Sequence, residues 1–323
     1  MPSLKKVDLD YKKSLQIKKS AMTFFLFKCI TNNMNVIKAD TLGYCMGVRR
    51  AVESAEVALK EYKDKKVYSL GPLIHNTVAL EELSDKGLYI LDEKDIDSLS
   101  SDSVVVIRAH GISPDVQKKL IEKKAVIIDA TCPRVTVSQN RVAEYSEKGY
   151  SIILAGDNGH AEVEGIRGYA RDSFYCVQNL TEAETLIEKG VLLNSSEKKY
   201  LLLCQTTFSP VEFEKIASYL KTKIDFLEII NTICPATRQR QDALERMCMT
   251  VDGVVVVGGK KSANTIRLYQ KASQLVENVV HIEKACEIPD SFRKLQTVGI
   301  TAGASTPDNV IEEVVKSLIF SYT

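Results

Sequence analysis

The sequence predicts an α/β protein: three small parallel-sheet α/β domains arranged as a pseudo-threefold trefoil around one central site. Three observations predict it. Short β-branched runs alternate with amphipathic segments from Met34 onward. The runs are continuously apolar rather than alternating, as in strands buried on both faces. One ordered pattern, cysteine, helix, strand, Gly-x-x-x-polar, occurs three times. At 323 residues the chain also exceeds what one core usually serves.

The strand runs are KVYSLG, VVVIRAHG, AVIIDATC, SIILAG, YLLLCQTT, DGVVVVGG and TVGITAG. SPDVQKKLIEKK and TPDNVIEEVVKSL open with Ser/Thr-Pro and an acid, which is helix-start chemistry. Counting from Cys132 leads through a helix to a strand ending at Gly156 and then to His160. Counting from Cys234 leads without a gap to Gly258 and Ser262, and from Cys45, two residues longer, to Gly71 and His75. The second half of each unit repeats as RAHGISPD, CQTTFSPV and TAGASTPD. Aligning Pro114, Pro210 and Pro307 puts His110, Thr206 and Gly303 in register, with Ser305 two places beyond. The third unit lacks a closing strand, and NVIKADTLGYC at the start supplies one. The expected domains are therefore 47–132, 133–231, and 232–323 completed by 34–46. In open α/β sheets the ligand crevice lies at the strand C-termini, so three polar loops are expected to converge on one cavity.

Residues 1–33 read as a lysine-rich N-terminal extension, disordered or not native, with Met34 as the expected start. The formal net charge is +1, which argues against a nucleic-acid partner. No apolar run is long enough for a bilayer, so no membrane is expected. Eight cysteines in a large chain without a convincing signal peptide point to a reduced, cytoplasmic protein rather than a disulfide framework.

Cys45, Cys132 and Cys234 hold equivalent positions, each before a helix whose N-terminus favours thiolate charge. Three thiolates at one axis repel unless a cation neutralises them. Three ligands also leave a coordination position open, the mark of a reactive rather than a structural site. A zinc ion with a water and a cubane iron–sulfur cluster with one non-cysteine iron both satisfy this; three small buried residues would be the bland alternative. Cys204 reads as core; Cys29, Cys176, Cys248 and Cys286 have no repeat partner and no assigned role.

His75, His110 and His160, three of the four histidines, fall in these loops, whereas His281 falls outside them and reads as a surface or packing residue. Ser262, Asn264 and Ser305 complete the third unit's loops. Such donors beside helix N-termini suit a phosphate-type anion, and ordinary turn chemistry is the alternative for each one singly. Glu162 lies in the register of Asn264 and would face the cavity as a proton donor, preferred to Glu164 and Asp157. Thr206 could relay or orient that proton; Thr207 competes with it.

Together GYCMGVRRAV, GPLIHN, RAHG, DATCP, GHAEVEG, QTT, TICPAT, GGKKSANT and TAGAST resemble the LytB/IspH family of 4-hydroxy-3-methylbut-2-enyl diphosphate reductases, from Met34 to about Lys316. The resemblance implies a trefoil around a single 4Fe-4S cluster held by Cys45, Cys132 and Cys234, with an open fourth iron for the substrate hydroxyl. It implies that His75, His110, Ser262, Asn264 and Ser305 bind the diphosphate, that His160 lies beside the substrate, that Glu162 donates a proton and that Thr206 meets the hydroxyl. It implies a two-electron reductive dehydroxylation giving isopentenyl and dimethylallyl diphosphates, with ferredoxin or flavodoxin as donor.

Arg49, Arg50 and Lys66 would form either a donor-docking surface or a solvated face. The chain departs from the family in its extension and in Ala263, where many members have a second serine. Some members carry an appended RNA-binding region; ending at Thr323, this chain is expected to lack one. A zinc-dependent hydrolase or lyase acting on a phosphorylated substrate, and a non-enzymatic iron–sulfur sensor, are the rival readings.

Overall fold

The computed structural model describes residues 34–320, apart from 172, 194 and 196. The expected extension at residues 1–33, and Cys29 with it, lies outside the described residues.

Three four-stranded, all-parallel sheets form the protein. The first contains β2 (Val67–Leu70), β3 (Leu88–Leu91), β4 (Val104–Ile107) and β5 (Val126–Asp129) in the order β3-β2-β4-β5. The second contains β6 (Tyr150–Ala155), β7 (Phe174–Val177), β8 (Lys199–Cys204) and β9 (Leu227–Ile229) in the order β7-β6-β8-β9. In the third, β10 (Gly253–Val257), β11 (Asn278–Ile282) and β12 (Thr297–Ala302) follow the same order. Its fourth place is taken by β1 (Asn35–Lys38), in register Asn35 opposite Thr297. The chain's first strand thus closes its last sheet, as the cyclic repeat requires.

The central strands are buried on both faces, which explains their unbroken apolar reading. Val104 and Val106 enter one cluster with Ala51 and Ala55, while Val105 and Ile107 enter another with Leu120. Leu202 and Cys204 against Leu201 and Leu203, and Val255 and Val257 against Val254 and Val256, repeat the division. Cys204 is core, as expected. Each fully buried aliphatic side chain contributes roughly 1.5–3 kcal/mol, so strands of four to six residues hold. Each unit carries its own pair of cores, and the polar strand ends are left to meet at the axis.

Three long helices lead from one unit into the next: α1 (Met46–Glu61), α4 (Pro133–Glu147) and α8 (Pro235–Cys248). Cys45, Cys132 and Cys234 are their N-caps, with Pro133 and Pro235 at the first helical position, where a missing N–H costs nothing. A second set of helices starts at the axis: α2 (Thr77–Asp85), α5 (Ala161–Arg167) and α9 (Ala263–Leu275). The remaining helices cover outer faces: α3 (Pro114–Glu122), α6 (Leu180–Glu188), α7 (Pro210–Lys221) and α10 (Asp308–Ile319). Among the described residues no helix is long and apolar enough to cross a membrane.

The units approach closely at the axis. A Cβ on Gly259 would lie 2.3 Å from the His75 carbonyl oxygen, so only glycine lets the third unit's loop sit against the first unit's histidine. Ser305 Oγ donates to the same carbonyl at 3.0 Å. Arg267 of α9 reaches Asp157 of the second unit with one nitrogen at 2.7 and 2.9 Å from the two carboxylate oxygens.

Candidate active site

The three cysteine amides are held alike. Cys45 N–H donates to the Ala304 carbonyl at 3.0 Å, Cys132 N–H to Ala109 at 2.9 Å and Cys234 N–H to Thr206 at 2.8 Å. One residue earlier, Gln205 N–H donates to Ala155 and Gly303 N–H to Val257. These bonds correct the register read from the prolines. Ala109, Thr206 and Ala304 are equivalent, and so are His110, Thr207 and Ser305. The loop from strand end to proline shortens by one residue in each successive unit, so the prolines mark helix starts and not the cavity register.

One cavity collects all eleven residues singled out above: Cys45, Cys132, Cys234, His75, His110, His160, Glu162, Thr206, Ser262, Asn264 and Ser305. The cysteines are free and half-buried. Cys45 Sγ accepts from Val48 N–H at 3.4 Å. Burial pushes the Cys132 thiol up, against the pull of the Arg134 and Val135 amides, and the Cys45 and Cys234 charges push the same way as burial. Among the described residues, the three imidazoles have ligand atoms within 4.8 Å of one another, but the three sulfurs form no such set. A Cβ on Gly47 would lie 2.6 Å from Cys132 Sγ, so the first turn of α1 is bare where that sulfur needs room.

The histidines meet edge to face and tilted, with centroids 4.9 to 5.6 Å apart. Burial is the main cause that lowers all three: His75 below its ordinary value, His110 well below, and His160 to about 4. They are neutral at pH 7. His160 is the N-cap of α5, its Nδ1 accepting from Glu162 N–H at 3.1 Å; the neutral ring therefore carries its proton on Nε2. Ser262 caps α9 in the same way. In the first unit Asn76 takes the cap one residue later, which frees His75. His75 Nε2, His110 Nδ1 and Asn264 Nδ2 are buried without partners. Buried polar atoms are rarely left unpaired, so a cluster of them facing one space describes an absent polar ligand. Ala263, at the first position of α9, offers backbone only.

Glu162 is 2% exposed. Its Oε1 accepts the Thr206 N–H at 2.6 Å and its Oε2 the Thr206 hydroxyl at 2.8 Å. Burial raises its pKa to about 7, against the lowering effect of those two bonds. It can hold or release a proton near neutrality. Glu164 is instead on the surface with Arg167, and Asp157 is held by Arg267. Thr207 accepts from Gln205 Nε2 at 3.0 Å and does not meet Glu162 in this way.

Several residues escaped the sequence reading. Thr237 donates to the Thr206 carbonyl at 3.2 Å. Arg108 packs on Gly71, and its charge helps to lower His75. Arg240 is buried at the cysteine end of the cavity. Arg49, Arg50 and Lys66 are exposed, and Arg50 donates to the Asp129 and Thr131 carbonyls. Of the two readings of His281, the structure takes packing, with its Nε2 on the Gly258 carbonyl at 2.8 Å.

Comparison with known proteins agrees with this geometry. Residues 36–319 match the family described as LytB protein. A 4-hydroxy-3-methylbut-2-enyl diphosphate reductase from Treponema denticola is 44% identical over 290 residues, 88% of this chain and 99% of the relative. One from Caldanaerobacter subterraneus is 40% identical, covering 88% of this chain and 96% of the relative. Among solved structures, the E-1-hydroxy-2-methyl-but-2-enyl-4-diphosphate reductase of Plasmodium falciparum superposes with a TM-score of 0.82 at 28% identity, over 89% of this chain and 88% of that one. A second, described as (E)-4-hydroxy-3-methyl-but-2-enyl diphosphate reductase, the terminal enzyme of the non-mevalonate pathway, gives 0.66 at 36% identity, over 90% of this chain and all of the other.

Proposed function

The chain belongs to the LytB protein family, and from that premise we propose that it reduces (E)-4-hydroxy-3-methylbut-2-enyl diphosphate to isopentenyl and dimethylallyl diphosphates, the last step of the non-mevalonate route. Two electrons and two protons enter, the allylic C–O bond breaks, and its oxygen leaves as water. What supports this reading is one observation: three equivalent cysteines, each capping a helix, open into the same cavity as a buried carboxyl that titrates near neutrality.

Cys45, Cys132 and Cys234 would hold a four-iron, four-sulfur cluster with one iron free of cysteine. When bound, such a cluster supplies electrons singly and Lewis acidity toward oxygen. The rest of the chemistry belongs to the chain. His75, His110 and Asn264 offer unpaired donors to the diphosphate, and Ser262 and Ser305 add hydroxyls at helix N-termini. His160 presents Nε2–H beside the substrate. Glu162, protonated, gives its proton to the departing hydroxyl, because a hydroxyl leaves poorly unless it departs as water. Thr206 orients both partners: its hydroxyl touches Glu162 and its backbone is fixed by Cys234 and Thr237.

A reductase of this kind needs a redox partner, and we assign ferredoxin or flavodoxin to that role. Free thiols at the site suit a reducing compartment, the cytoplasm. The deciding experiment is anaerobic purification with iron and sulfide analysis, visible spectroscopy and turnover with reduced donor. About four irons and four sulfides per chain are expected. A colourless protein with one zinc would indicate the hydrolase or lyase, and a loaded protein without turnover would indicate a sensor.

A further inference from the structure

Among the described residues, one buried cation has no carboxylate to answer it. Arg240 lies on the inner side of α8, six residues after Cys234, and is 3% exposed. Its Nη2 donates to the Gly43 carbonyl at 2.7 Å and its Nη1 to the Ala236 carbonyl at 3.0 Å. Its Nε is buried without a partner. Gly43 stands two residues before Cys45, and Ala236 two after Cys234. The guanidinium therefore sits between two of the three cysteine loops and lines their cavity. Among the described residues, the groups whose charge favours its ionised form are the Cys45 and Cys234 sulfurs.

A guanidinium removed from water requires a compensating anion. Neutral thiols do not supply one. Three thiolates around a doubly charged cubane core leave one net negative charge, and a second after one-electron uptake. A fixed cation at that distance stabilises the reduced form more than the oxidised one, because the attraction grows with the charge it faces. We propose that Arg240 is the charge-balancing residue of the iron–sulfur site, raising its reduction potential. The proposal rests on the cluster reading above. It adds a residue that touches neither substrate nor iron and acts through the field it imposes.

The test is a redox titration of the anaerobically loaded protein, followed spectroscopically, for the wild type, Arg240→Gln and Arg240→Lys. The glutamine variant, at unchanged iron and sulfide content, should have a midpoint at least 59 mV more negative, a tenfold change in the oxidised-to-reduced ratio of a one-electron couple. The lysine variant should fall between the two. A fully loaded glutamine variant with the wild-type midpoint overturns the assignment. Should that variant take up no cluster, thermal unfolding of cluster-free wild type and cluster-free Arg240→Met decides. If the charge is a burden without its anion, the variant melts at or above the wild type; a lower melting temperature makes Arg240 a loop clamp and overturns the proposal. Wild-type protein that binds no iron or sulfide sinks the cluster reading and this assignment with it, a result distinct from an unshifted midpoint in a loaded variant.

Discussion

Both carboxyl oxygens of Glu162 are held by one residue, Thr206: Oε1 by its amide at 2.6 Å and Oε2 by its hydroxyl at 2.8 Å. The Thr206 carbonyl in turn accepts the Cys234 amide at 2.8 Å. Glu162 and the Cys234 loop are therefore linked through one residue just beyond the end of β8.

The first prediction concerns the charge state of Glu162. Its folded value of about 7 exceeds the ordinary 4.5. A raised acid binds more protons folded than unfolded, so its contribution to stability is complete below about 4.5 and is lost as pH rises through 7. With the protonated form as the donor in the proposed reaction, kcat/KM should fall above pH 7. Glu162→Gln should keep its cluster, lose turnover by roughly 10²–10⁴ and show no such limb. Turnover equal to wild type in that variant would remove Glu162 from the mechanism.

The two neighbouring threonines can be separated. Thr206→Val keeps shape but leaves Glu162 Oε2 without its donor. Leaving a buried acceptor unsatisfied costs about 1–3 kcal/mol, so the carboxylate is disfavoured and the descending limb moves to higher pH. Thr207→Val disturbs only the bond from Gln205 and should leave the limb in place. pH–rate profiles of the two variants check this, and an equal shift in both would deny Thr206 its special position.

The histidines predict how the site takes an anion. Neutral in the ligand-free protein, they would gain protons beside a diphosphate. Pyrophosphate should therefore bind more tightly as pH falls from 7 toward 5, with measurable proton uptake. Without ligand the same depressed values mean that stability is lost as pH falls from 6.5 through about 4, and pyrophosphate should reverse part of that loss. Calorimetry in two buffers of different ionisation enthalpy measures the uptake. Affinity that does not change with pH would mean that the rings do not contact the anion.

Much of this was legible in the sequence because cysteine spacing carries the cyclic repeat. The expectation that β1 completes the third sheet follows from counting, and so does the choice of Glu162 over Glu164. The edge strands β3, β7 and β11 escaped notice because both faces of each are partly open to solvent, and LYIL, FYCV and NVVHI lack the unbroken burial of the central runs. The proline alignment failed for a related reason: a helix start can slide along its loop while sheet hydrogen bonds hold the register. Arg240 was hidden in TRQRQ because composition treats it like the exposed Arg238; a turn of two residues on the helix puts one inside and the other in water.

Gly47 opposes two effects whose signs differ. Glycine costs about 0.5–1 kcal/mol relative to alanine in a helix interior and less in the first turn, where Gly47 lies, so Gly47→Ala should stabilise α1 by less than that if nothing else were near. Its new Cβ would lie 2.6 Å from Cys132 Sγ and 2.9 Å from Cys132 Cβ. Those atoms belong to a helix cap whose amide is fixed on Ala109, so the cysteine cannot retreat freely. The expected outcome is a protein that folds with wild-type secondary structure by circular dichroism yet binds well under half of the wild-type iron. Iron content measured beside thermal unfolding checks this, and full iron with a higher melting temperature would show that the Cys132 loop yields and that helix propensity wins.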